Sequence, residues 1–207
     1  IYESTTAKTI RNYNILLFTI MKRILILVAW VVVATVALYL RLHNLGENPL
    51  HFDEATGASL LGQTLSGDNP GFDPTHFHGP WLRLSSIPIA KLRGEIDWQS
   101  LSSETLRLST AIAGWLLCFT PLLWTSFLCT KTKLASAALL ATSPLAVYYS
   151  RMYIHETWLA LFGMLACAAF YRFCKNPNHN NALFAGFGIG MMFATKETFF
   201  ISVSTWA

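Results

Sequence analysis

Ile24–Leu40 reads ILILVAWVVVATVALYL, an uncharged run led by Met21-Lys22-Arg23. A membrane-crossing helix needs about 20 mainly apolar residues, so this stretch reads as a first span over about residues 24–42. A cleaved signal peptide is the rival reading, with Lys22 and Arg23 as its basic lead. The run is long for a signal core, and more apolar runs follow, which favours a retained span. Composition agrees: 53% of the chain is hydrophobic, 13% is charged and the mean hydropathy is +0.42, against about 25% charged residues in an ordinary soluble domain.

Four further apolar runs lie at about 108–128, 134–149, 153–173 and 182–205. The expected fold is an all-α polytopic membrane protein of five spans, forming one unit over 1–207, with a large polar first loop at 43–105. That loop holds eight of the eleven acids. Asp53 to Leu65 is loosely helical, with Ala58, Leu61 and Leu65 on one face. Gly67-Asp68-Asn69-Pro70-Gly71 reads as a turn, and Trp81 to Leu92 as an amphipathic helix at the membrane interface. Lys22 and Arg23, Lys131 and Lys133, and the Arg172–Asn181 connection fall on one side if the spans alternate. The positive-inside rule makes that side the cytoplasm and puts the first loop outside. The net charge of +4 therefore suits a membrane edge and argues against nucleic-acid binding. Cys118, Cys129, Cys167 and Cys174 form no CxxC pair and read as small apolar residues. Both ends look arbitrary, so the chain reads as a fragment, with residues 1–20 either a short cytoplasmic lead or read-through.

His51-Phe52-Asp53-Glu54 follows the first span, and this topology collects other charges beside it. Ser150-Arg151, His155-Glu156 and Lys196-Glu197 all fall at outer span ends. Charged residues in spans cost about 2.5–3.5 kcal/mol even on lenient scales, so three such ends on one face suggest a shared job. Plainer readings exist for each. Asp53 could cap the next helix, Arg151 could snorkel to headgroups, and Lys196 could pair only with Glu197. His51, His76, His78 and His155 are singly more typical of hydrogen-bonding residues than of metal ligands. Phe72, Phe77 and Trp81 would stack on a sugar ring or anchor the loop.

Such a set suits transfer of a sugar from a lipid phosphate. Phosphate leaves well when cations such as Arg151 and Lys196, or a divalent metal, neutralise its charge. The acceptor must lose a proton, and one carboxylate can take it. Adjacent carboxylates point in different directions, so Asp53 and Glu54 cannot be the opposed pair of a glycoside hydrolase.

At these residues the chain resembles the GT-C superfamily of membrane glycosyltransferases, and most nearly its protein O-mannosyltransferase and aminoarabinose-transferase-like group. His51-Phe52-Asp53-Glu54 resembles that group's acidic pair in the first extracytoplasmic loop. His78-Gly79-Pro80-Trp81 resembles its His-Pro-Pro-Leu segment, Ser150-Arg151 with Glu156 its Ser-Arg and later acid, and Thr195-Lys196 its late lysine. The set is similar to a prokaryotic branch labelled flippase activity-associated proteins. The departures are Gly79 for the first proline, Glu156 for the usual Asp, His155, and Glu197 for an aromatic. The resemblance implies about a dozen spans in the whole protein, of which this chain would be the N-terminal part and inactive by itself, a polyprenyl-phosphate sugar donor, and a hydroxyl or amine acceptor on a lipid, glycan or protein. It further implies Asp53 as general base, Glu54 positioning acceptor or metal, Arg151 and Lys196 on the donor phosphate, and one inverting displacement. His78, His155, Glu156 and Glu197 would position the acceptor or a metal, Mg or Mn being the cofactors considered. The expected site lies on the extracytoplasmic face of the plasma (inner) membrane, with the N-terminus cytoplasmic. Two rival functions are a polyprenyl-lipid transporter or flippase accessory, which would spread charge through the membrane depth, and a lipid-binding scaffold, which gives no reason for Asp53-Glu54.

Overall fold

The computed structural model describes residues 2–68, 78–124 and 127–205. The turn expected at Gly67–Gly71 falls mostly outside them, as do Phe72, His76 and Phe77. Among the described residues all regular structure is helical. In order the helices are α1 (Tyr2–Leu42), α2 (Phe52–Leu65), α3 (Trp81–Leu92), α4 (Ser103–Leu117), α5 (Thr130–Thr142), α6 (Pro144–Ser150), α7 (Glu156–Lys175), α8 (His179–Thr195) and α9 (Phe199–Ser204).

Among the described residues two helices, α1 from Asn12 to Leu42 and α7, are long and apolar enough to cross a membrane. Between Tyr13 and Val32, α1 leaves most of its large apolar side chains uncovered, as a lipid-facing helix does. Five spanning helices are not shown among the described residues, and three of the apolar runs are interrupted, each with a local cause. The run at 108–128 ends as α-helix at Leu117 and passes into a 3-10 turn, Thr120–Leu123, with Pro121 near its start. The run at 134–149 breaks between α5 and α6, where Ser143 takes an extended ψ of 121° ahead of Pro144, because a proline ring crowds the preceding residue out of the helical region. The run at 182–205 breaks at Lys196, whose backbone is extended, before the short α9. The fourth apolar helix begins at Glu156, so His155 lies before it.

The main core joins α2, α3, α4, α7 and α8 through Leu61, Leu82, Leu106, Tyr153, Phe162 and Met192. On α8 the buried residues Ala185, Gly188, Met192 and Thr195 recur at helical spacing, a stripe toward α7. Gly188 sits so close to Ala166 that an added Cβ would lie 2.8 Å from Ala166 Cβ; small residues let membrane helices approach in this way. A second seam packs Ala37 of α1 on Cys118 and Ala141, and Trp115 Nε1 donates to the Ala34 carbonyl at 3.1 Å.

Side-chain bonds fix which helix ends meet. At one end of the bundle Arg41, in the last turn of α1, donates to the carbonyls of Leu140 and Ala141 at the end of α5. Lys196, just past α8, meets Glu156 at the start of α7. At the other end Arg172 of α7 donates to the Leu123 carbonyl.

Candidate functional site

The two acids of His51–Glu54 take opposite environments. His51, not Asp53, is the N-cap of α2: its Nδ1 accepts from the Asp53 N–H at 3.3 Å, while Glu54 Oε2 accepts from the His51 N–H at 2.9 Å. Asp53 is thereby free of capping duty. Its side chain is 70% exposed, and its Oδ2 lies 3.7 Å from His51 Nδ1, an atom already accepting from the backbone.

Glu54 is 1% exposed and every acceptor position is filled. Oε1 accepts from Arg107 Nε at 2.8 Å and from the Tyr153 N–H at 2.7 Å. Oε2 accepts from Arg107 Nη2 at 2.8 Å in addition to His51. Burial works to raise the Glu54 pKa, but the Arg107 fork and two backbone N–H groups outweigh it and hold the carboxyl below its ordinary value. Arg107 also donates to the carbonyls of Leu45, Asn48 and Pro49. One buried guanidinium thus ties the chain leaving α1 to the head of α2 and, through Glu54, to Tyr153. Each carboxylate oxygen of Glu54 thus accepts two hydrogen bonds from within the chain.

Arg151 is likewise engaged. Its Nη1 donates to the carbonyls of Leu40 and His43, and its Nη2 to that of Asn44. Those are orphan acceptors at the C-terminus of α1, which a cation satisfies well. Three of its five N–H groups are used in this way, and Nε–H and one Nη2–H remain.

The other expected residues come together. His78 Nδ1 lies 2.8 Å from Glu197 Oε2, and the rings of His78 and His155 meet edge to face at 4.9 Å. Lys196 Nζ donates to Glu156 Oε1 at 2.6 Å, so its partner is Glu156 and not the adjacent Glu197. Gly79 is what allows this approach. A Cβ there would lie 2.2 Å from the Ala194 carbonyl oxygen, inside any tolerable contact. Gly79→Ala is expected to push the two segments apart at a cost of about 1–3 kcal/mol, seen as a lower Tm of the full-length protein in detergent.

Burial pushes His155 down to about 4; His78 and Lys196 add to this, while Glu156 and a hydrogen bond with the Gly79 backbone oppose it. The folded His155 stays neutral while an unfolded one, with an ordinary value of 6.5, takes up a proton as the pH falls. Stability is therefore complete above about pH 6.5 and declines toward pH 4, by about 3 kcal/mol at the limit. In a Tm series over that window, His155→Gln is expected to flatten the decline; an unchanged slope would assign it to another group.

Among the described residues no three His, Cys, Asp or Glu side chains are grouped to hold a metal ion.

The family model for dolichyl-phosphate-mannose-protein mannosyltransferases matches residues 98–205, just over half of the chain. The chain belongs to that family. It is accordingly a membrane-associated protein of a glycosyltransferase family. The matched segment contains Arg107, Arg151, His155, Glu156, Lys196 and Glu197; the α2 acids and His78 precede it. No curated protein and no solved structure matches the chain.

Two arginines central to the site, Arg107 and Arg41, were not singled out from the sequence. Arg41 is fully buried and holds carbonyls of α1 and α5. Both are lone cations at the edge of an apolar run, on the same side as the acid pair, which is the signal that would have found them.

Proposed function

We propose that the protein transfers a sugar from a polyprenyl-phosphate donor to an acceptor hydroxyl or amine at the extracytoplasmic face of the plasma membrane, by one inverting displacement. The observation that carries this is the division of labour at the head of α2. Glu54 and Arg107 fix the helix end, which leaves Asp53 as an exposed carboxylate on a rigid mount.

The acceptor oxygen or nitrogen attacks the anomeric carbon as the bond to the phosphate oxygen breaks. Asp53 takes the acceptor's proton, and the lipid phosphate leaves with the bonding electrons. Lys196 is the cation for that phosphate, since one of its three N–H groups goes to Glu156 and two remain. Its 18% exposure keeps it only partly screened, where charge stabilisation counts for more. His78 and His155, linked through Glu197 and Gly79, hold the segment before α3 against the end of α8 and shape the site's wall. Arg151 holds the end of α1.

Sidedness tests the placement. In sealed right-side-out vesicles containing the full-length protein, a membrane-impermeant acceptor added outside is expected to become labelled from a labelled polyprenyl-phosphate sugar. Labelling confined to inverted vesicles would place the site on the cytoplasmic face and overturn the assignment.

A further inference from the structure

Arg41 is a fully buried cation whose hydrogen bonds go to carbonyls rather than to a carboxylate. Its Nη1 donates to Ala37 at 3.1 Å and to Ala141 at 3.2 Å, and its Nη2 to Leu140 at 3.1 Å. Its Nε–H is sealed from solvent and meets no acceptor among the described residues. A buried charge without a counter-charge costs more than apolar side chains of similar volume. Packing α1 on α5 therefore gives no reason for an arginine here.

The reason lies four residues along from the carbonyls it holds. Within a helix the Leu140 carbonyl would accept from residue 144, which is proline and has no N–H. The Ala141 carbonyl would accept from Leu145, which lies beyond the extended Ser143. Arg41 supplies donors to the two acceptors that this break leaves open. From the other end of α6, Arg151 reaches back to the carbonyls of Leu40, His43 and Asn44. The seven residues of α6 are too few to hold a direction by themselves, and two arginines fasten them to the end of α1. Gly114 of α4 leaves the room for this, since a Cβ there would overlap Ser150 and lie 2.9 Å from Arg41 Nε.

The segment that follows α6 joins the two halves of the site. The Tyr153 N–H donates to Glu54 at 2.7 Å, the His155 ring meets that of His78 at 4.9 Å, and Glu156 accepts from Lys196 at 2.6 Å. Those contacts connect the mount of Asp53 to the cation assigned to the phosphate. We propose that Arg41 is a positioning residue for sugar transfer, which caps the α5–α6 break, aims α6, and so sets where Asp53 stands relative to Lys196. This rests on the transferase reading; Arg41 itself, being fully buried, touches neither substrate.

The test compares the full-length wild type with Arg41→Met, Pro144→Ala and the double variant in vesicles. Tm is measured beside the rate of transfer from a panel of labelled polyprenyl-phosphate sugars, well below every Tm. Arg41→Met is expected to lower both, the rate by about a hundredfold, the scale of a misplacement of about 1 Å. An N–H at position 144 gives the Leu140 carbonyl a donor and lets residue 143 return to helix, so the double variant should regain Tm. Its rate should stay low, because α6 then continues α5 instead of turning. A rate that returns with Tm makes Arg41 scaffolding and overturns the proposal while the transferase reading stands. A double variant that regains no Tm overturns the capping role. Pro144→Ala alone keeps Arg41 and does not depend on the other variants folding. It is expected to hold or raise Tm while the rate falls; a full rate, or a Tm that falls in step with the rate, overturns the proposal. Wild type that moves sugar from no donor of the panel removes the transferase reading, and the positioning role with it.

Discussion

Asp53→Asn in the full-length protein is expected to lower the rate of sugar transfer about a hundredfold or more, with Tm unchanged. The size of the effect follows from the role, since a positioned general base contributes typically 10²–10⁴-fold and an amide cannot take the proton. The unchanged Tm follows from the geometry. His51, not Asp53, caps α2, and the Asp53 side chain is mostly solvent-exposed, so asparagine loses little that holds the fold. The split between rate and stability decides the assignment. A fall in Tm matching the fall in rate would make Asp53 a structural residue, and a full rate would remove it from the chemistry.

Arg107→Ala is expected to produce the reverse pattern, with stability lost first. The guanidinium is almost wholly buried, bidentate to Glu54, and bonded to three further carbonyls. Removing it strands a buried carboxylate, at about 3–5 kcal/mol for a pair broken from one side. Glu54→Leu with Arg107→Met should recover part of that, because both charges leave together, though the carbonyls of Leu45, Asn48 and Pro49 still lose their donor. A pH series adds a check with a definite sign. Glu54 ionises below its ordinary value when folded, so its contribution is present above the ordinary carboxylate pKa and is lost as the pH falls through the lower folded one. Arg107→Ala should erase that acid-side dependence. Equal Tm values for wild type and Arg107→Ala across the series would show that the pair does not hold the site.

The carboxylate pair and the charged span ends were legible in the sequence, because charges at the edges of apolar runs are rare and a helical topology sorts them by end. The structure does gather His78, His155, Glu156, Lys196 and Glu197 at one end of the bundle. What the sequence could not separate was Asp53 from Glu54. Their difference is made by Arg107, 53 residues further on, and by the Tyr153 N–H, 99 residues away; neither leaves a local mark. The same holds for Arg151, whose snorkelling and phosphate-binding readings both overlooked the carbonyls at and just beyond the end of α1, more than a hundred residues earlier. The helix breaks inside the apolar runs were legible in the sequence. Pro121 and Pro144 stand inside apolar runs, and hydropathy counts residues without asking whether the backbone can continue as helix.

The most direct measurement follows both halves of a doubly labelled donor, one label on the sugar and one on the lipid, in vesicles carrying the full-length protein and an acceptor. The account predicts that the labels separate: sugar appears on the acceptor and polyprenyl phosphate is released in equal amount. Donor that crosses the bilayer with both labels still joined, and no labelled acceptor, would contradict it and identify a lipid transporter instead.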